Sequence, residues 1–150
     1  MGRRTKAREC AFQILYQREI SGEAMPKVIA AFWQVRSGTA PMRAMAERLA
    51  VGAQGRAQEL DREIVAAAAN WRLDRMAPVD RTILRLGAYE LLAEPETPPA
   101  VVLDEAIELA KRFGEADSPA FVNGVLDAIR RQVRPPARPK KGRARGEEQR

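Results

Sequence analysis

The sequence predicts an all-α protein of about six or seven helices. Apolar residues recur at three- and four-residue spacing through most of the first 133 positions. No stretch alternates apolar and polar residues as a half-buried strand does. Proline and glycine signals punctuate the periodic segments. A chain of 150 residues can hold one domain, or two small ones, with a real core.

The first segment, Gly2–Ile20, reads as one amphipathic helix from about Arg4 to Glu19, stopped by Ser21-Gly22. Ala7, Cys10, Ala11, Ile14 and Leu15 form its apolar stripe, with Phe12 and Tyr16 beside it. Arg3, Arg4, Lys6 and Arg8 crowd its first turns, where the helix macrodipole disfavours positive charge. A solvated basic helix start accounts for these cations. So does an external anion, and RNA phosphate is the reading preferred here.

Pro26 opens a second helix, with Val28, Ile29, Phe32 and Trp33 on its buried side and Val35 flanking. A long helix is expected from about Pro41 to Ala69, with Gly52 and Gly55 as weak points. Its apolar positions include Met45, Leu49, Leu60, Ile64 and Val65. Trp71 and Leu73 begin a short connector that leads to Pro78. The segment PVDRTILRLGAYELLAE is apolar on several sides and reads as a central helix. Val102–Phe113 is amphipathic and ends at Gly114. Ser118 is the expected N-cap of the last helix, with Pro119 at its first position. Val122, Val125, Leu126 and Ile129 form that helix's stripe, Gly124 suggests a close helix contact, and Phe121 is left as a surface aromatic. Residues 134–150 carry no apolar side chain larger than alanine apart from proline, and are expected to be a disordered basic tail.

Composition excludes several classes of chemistry. There is no histidine and one cysteine, which removes the common zinc sites, the Cys–His and Ser–His–Asp arrangements and an internal disulfide. No phosphate-binding glycine loop and no metal-ligand cluster is present. Asp104, Glu105 and Glu108 could be mistaken for a carboxylate site, but they read as a solvated or paired helix face. No run of 18 apolar residues occurs, so a membrane partner is not expected, and the single cysteine makes the chain read as cytoplasmic. The expectation is a binding protein without catalysis, cofactor or metal.

The position of the charge says more than its sum of +6. Residues 1–19 carry net +3 and residues 134–150 net +5, which leaves the middle at −2. A polyanion at the basic ends and a different partner on the body would suit that polarity. Aromatics beside cations are what unpaired RNA needs, since bases stack on rings while cations hold phosphates.

Three blocks carry a family resemblance: RRTKAREC with LYQ near the start, LDRMAPVDRTILRLGAYEL in the middle, and VVLDEAIELAKRFGEADSPAFVNGVLDAI near the end. In order and over about residues 3–131, they resemble the NusB family of bacterial transcription antitermination factors. The basic cluster is interrupted by Thr5, and the tail is longer than the family core requires. The resemblance implies about seven helices in two packed three-helix subdomains, about 1–76 and 77–133, within one domain. It also implies binding to boxA leader RNA as a single strand together with NusE, a ribosomal small-subunit protein. That pair would join RNA polymerase and other Nus factors, notably on ribosomal RNA operons.

Carried onto this chain, the RNA side would be Arg3, Arg4, Lys6, Arg8 and Tyr16, with Phe113, Asp117, Ser118 and Phe121 from the second element. The NusE side would be Asp80, Arg81 and Leu84. On this reading Arg8→Ala and Tyr16→Ala each weaken RNA binding without unfolding the protein. The competing reading is a helical protein-interaction module that binds RNA incidentally. The sequence leaves open a homodimer that would bury apolar surface.

Overall fold

The computed structural model describes residues 2–69 and 71–135. They form α1 (Arg3–Ser21), α2 (Met25–Val35), α3 (Ala40–Gly55), α4 (Ala57–Ala67), a 3-10 turn (Leu73–Arg75), α5 (Pro78–Ala93), α6 (Pro99–Phe113) and α7 (Ser118–Val133). No strand occurs among the described residues, and no helix there is long and apolar enough to cross a membrane.

Local chemistry sets most of the helix ends. Proline occupies the first turn of α2, α3, α5, α6 and α7, where its missing N–H costs nothing. The Thr39 side chain accepts a hydrogen bond from the Met42 N–H at 3.3 Å and so caps α3. Gly22 ends α1 in the left-handed conformation at φ 72°, and its N–H bonds to the Arg18 carbonyl.

The apolar stripe of α1 is buried throughout, with Ala7, Cys10, Ala11 and Ile14 fully enclosed. It lies against α3, α5, α2 and the end of α6. α5 is the central helix, packed on α1, α3, α4, α6 and α7, which explains its broad apolarity. Two glycines permit its close contacts. A methyl at Gly52 of α3 would fall on the Tyr89 phenol, and one at Gly87 would lie 2.7 Å from Leu126 Cδ1.

Several expectations change. The long helix over Pro41–Ala69 is two helices, because Gly55 ends α3 and Arg56 leaves helical geometry at φ −113° and ψ 21°. α4 then turns onto α5 and α7. Gly124 faces open space, so it is not a point of close helix approach. Val35 and Val65 are exposed, at 89% and 45%. The α7 cap is also different. Ser118 lies inside the helix start, and its hydroxyl accepts from the Glu115 N–H at 2.9 Å, which closes the turn before α7.

The largest correction concerns Arg8, which is only 3% exposed. Its Nε donates to both Glu90 carboxylate oxygens at 3.0 Å, and its Nη2 lies 3.0 Å from Glu90 Oε1. Ile83, Leu86, Val102, Ala106 and Leu109 wall the pair. Burial pushes the Glu90 carboxyl above the usual range, and Arg8 pulls it back only in part. Arg8 is therefore a tie between α1 and α5, not a phosphate contact. Removing one member of a buried pair strands the other charge.

The C-terminal segment starts with a similar surprise. Arg134 donates to five backbone carbonyls, those of Glu90, Leu91, Glu94, Pro95 and Thr97, at 2.6–3.4 Å. It ties the end of α7 to the last carbonyls of α5 and to those of the α5–α6 connection, and belongs to the fold. The basic residues from 138 onward lie outside the described residues.

Arg8→Ala should lower unfolding stability by about 3–5 kcal/mol in urea titrations, while Arg8→Met combined with Glu90→Leu should recover most of that loss. A loss below about 1 kcal/mol for Arg8→Ala would show that the tie is not a main support.

Candidate nucleic-acid interface

The start of α1 has no acidic residue in its first turn and no side-chain cap. Arg3, Arg4 and Lys6 are exposed there. Thr5, which interrupts them, donates its hydroxyl to Glu105 at 3.1 Å and so tethers this turn to α6. Positive side chains at the positive end of a helix dipole attract an anion. Arg3 and Arg4 line a groove of about 440 Å³ with Arg48, Pro41 and the α5–α6 connection. Glu94 and Glu96 also line it, and Glu94 is paired with Arg48 at 3.0 Å. Arg3 and Arg4 are therefore the groove's exposed cations without an acidic neighbour in their own turn.

Thirteen residues along α1, about 20 Å away, the same helix reaches an aromatic groove. Phe12 lies in its floor, with its ring centroid 6.0 Å from Tyr16 and 5.1 Å from Phe113. Tyr16 and Phe113 are half-buried. Phe32, Val35 and Arg36 form the opposite wall. The Phe12 ring is only 2% exposed, so it supports the groove and leaves the accessible rings to its neighbours.

Phe113 continues through Gly114 and the following turn to Asp117 and Phe121. Asp117 is exposed, while Phe121 is half-buried and meets Trp71 edge-on at 5.5 Å. These three residues line a smaller hollow together with Arg75 and Asp80. Ser118 is 1% exposed and spends its hydroxyl on the turn. It shapes the surface but is not a direct contact.

The proposed protein-facing set divides in the same way. Asp80 reaches this hollow from the first turn of α5, and its Oδ1 is buried without a hydrogen-bond partner. Leu84 is fully enclosed and belongs to the core, so it cannot touch a partner. Arg81 is committed internally. It donates to the Leu73 and Met76 carbonyls and to Glu19, each at 3.1 Å. Arg85 also holds Glu19 at 3.0 Å and grips Asp61 through two bonds at 2.7 and 3.0 Å.

The sequence reading missed Phe32, Arg36, Trp71 and Arg112. Arg112 lies 5.1 Å over the Phe113 ring and Arg36 5.9 Å over Phe32. Adjacency in Lys-Arg-Phe-Gly was the available signal for Arg112, whereas Arg36 is brought in by the α2 packing. Cys10 is buried, which raises its thiol pKa and suits it to a core role. No group of three or more potential metal-ligating side chains occurs among the described residues.

The family model of NusB matches residues 5–131. The chain belongs to the NusB family. The transcription antitermination protein NusB of Sorangium cellulosum is 51% identical over 129 residues, covering 86% of this chain and 92% of that protein. Its Geobacter sulfurreducens counterpart is 45% identical, with 86% and 94% covered. The solved NusB of T. maritima superposes with a TM-score of 0.77 at 35% identity, covering 86% of this chain and 90% of that one. A crystal structure of antitermination factors NusB and NusE in complex with double-stranded RNA gives 0.81 at 28% identity, with 88% and 98% covered. Members of this family are non-catalytic, consistent with the lack of convergent chemistry in the sequence.

Glu19 makes a pH prediction. Burial alone would raise its carboxyl, but Arg85 and Arg81 outweigh that and hold it below the ordinary 4.5. A depressed folded-state pKa adds stability above 4.5, and this is lost as pH falls through the folded value. Glu90 has the opposite sign, so the informative quantity is the difference between wild type and Glu19→Gln. Wild type should lose its advantage over Glu19→Gln as pH falls below 4.5 in denaturant titrations. An advantage that does not change between neutral and acid pH would show that the network does not perturb Glu19.

Proposed function

We propose that the chain is a transcription antitermination factor that binds single-stranded boxA leader RNA together with NusE. In this proposal the pair joins RNA polymerase and other Nus factors in the cytoplasm, notably on ribosomal RNA operons. One observation carries the RNA reading. The same helix, α1, bears an uncapped cationic start and, further along, the Tyr16 wall of an aromatic groove. Cations supply phosphate contacts, which give affinity without sequence information. Accessible rings take unstacked bases, which a duplex does not offer. The RNA in the related NusB–NusE structure is double-stranded, so the aromatic groove is the feature that favours an unpaired strand here.

Asp80, in the hollow beside Trp71, is the surviving candidate for the protein partner. An acidic group fits a basic ribosomal protein. The net −2 of residues 20–133 supports the same pairing.

Replacing Arg3, Arg4 and Lys6 by alanine should weaken boxA binding and reduce the salt slope by about 2, at roughly 0.7 per phosphate contact. The check is fluorescence anisotropy at several salt concentrations, with scrambled RNA as control. Equal affinity for boxA and scrambled RNA, with and without NusE, would favour the protein-interaction reading. Asp80→Asn should lower NusE affinity in calorimetry. Full retention would remove Asp80 from that interface.

A further inference from the structure

Glu9 is the centre of an arrangement that the family reading does not use. It is 7% exposed on α1 and accepts from two arginines on different helices. Arg36, at the end of α2, lies 3.4 Å from Glu9 Oε2 and also donates to Gln13 Oε1 at 2.6 Å. Arg112, at the end of α6, donates to Glu9 Oε1 at 2.5 Å. One carboxylate thus holds two guanidiniums and leaves one positive charge uncompensated. Both arginine side chains keep solvent access, at 32% and 44%. Each lies over a ring that borders the aromatic groove: Arg36 over Phe32 and Arg112 over Phe113. The groove has a volume of about 520 Å³.

We propose that this groove seats one unpaired nucleotide of the RNA strand, with its base between Phe32 and Phe113 and its phosphate on Arg36 and Arg112. The inference rests on the RNA reading above and adds α2 as a second wall of the site. Guanidinium forks match phosphate oxygens, and their residual charge here is positive. The half-buried rings on both walls keep accessible surface that can stack on any base, so this pocket supplies affinity and strand state more than sequence choice. Glu9 is a positioning residue. It fixes both forks before the ligand arrives, which reduces the ordering cost of binding.

The test uses the full chain and a fluorescein-labelled single-stranded boxA RNA, titrated by anisotropy across a potassium chloride series. Arg36→Gln combined with Arg112→Gln should reduce the salt slope by about 0.7, because the two arginines share one phosphate and a single strand gives roughly 0.7 per phosphate. Phe32→Ala should weaken binding roughly ten-fold without changing the slope. Arg36→Lys combined with Arg112→Lys keeps the charge and should retain most of the slope, which covers the case where the glutamine pair disturbs folding. Unchanged slope and affinity in the glutamine pair would overturn the proposal, as would slope loss in the lysine pair equal to that in the glutamine pair. If the Arg3, Arg4 and Lys6 variant still loses affinity in either case, the RNA reading survives and only this pocket fails. If that variant also binds normally, both readings fail.

Discussion

The buried pairing of Arg8 with Glu90 is the constraint on which the arrangement of α1 depends. A guanidinium and a carboxylate removed from water are costly unless each satisfies the other. Here both are enclosed, with only 3% of Arg8 and 3% of Glu90 exposed. The pair sets both the rotation and the height of α1 against α5. The apolar stripe of α1 then faces α3 and α5, and the cations of its first turns stay exposed. Tyr16, two turns after Arg8, comes to the rim where α6 ends.

Charge on α1 is consequently divided by burial. Arg8 and Glu9 are inside and hold helices together, whereas Arg3, Arg4 and Lys6 are outside and have no acidic neighbour in their own turn. Glu9 extends the same logic outward, because its buried carboxylate positions Arg36 and Arg112 at the edge of an aromatic groove. On the opposite flank, Glu19 gathers Arg81 and Arg85 and links the end of α1 to α5 and α4. Ionic ties thus fix α1 in its first half, at Arg8 and Glu9, and near its end, at Glu19.

Much of the helical fold was legible because burial follows a repeating pattern. The stripes of α1 and α7 are buried as the spacing implied, and the broad apolarity of α5 corresponds to packing against five helices. Periodicity does not distinguish a surface arginine from one buried against a carboxylate 82 residues away, which is why Arg8 was misread. Leu84 and Ser118 failed for a related reason: adjacency to a motif does not reveal which way a side chain faces. The break at Arg56 was only half-visible, since Gly55 marks a weak point but the turn of α4 onto α7 is a tertiary choice. Arg36 could not be found from its neighbours in sequence, because its partners Glu9 and Gln13 lie on another helix.

The proposed ligand face runs from the start of α1 past Tyr16 to Phe113 and the α6–α7 turn. Amide chemical-shift mapping of the labelled protein against single-stranded boxA RNA tests it most directly. Shifts are expected at residues 3–6, at Tyr16, Arg36 and Phe113, and through Asp117–Phe121, with little change at Val65 or Asn123. Shifts concentrated on Val65, Asn123 and the outer faces of α4 and α7, with α1 and the aromatic groove unmoved, would contradict it.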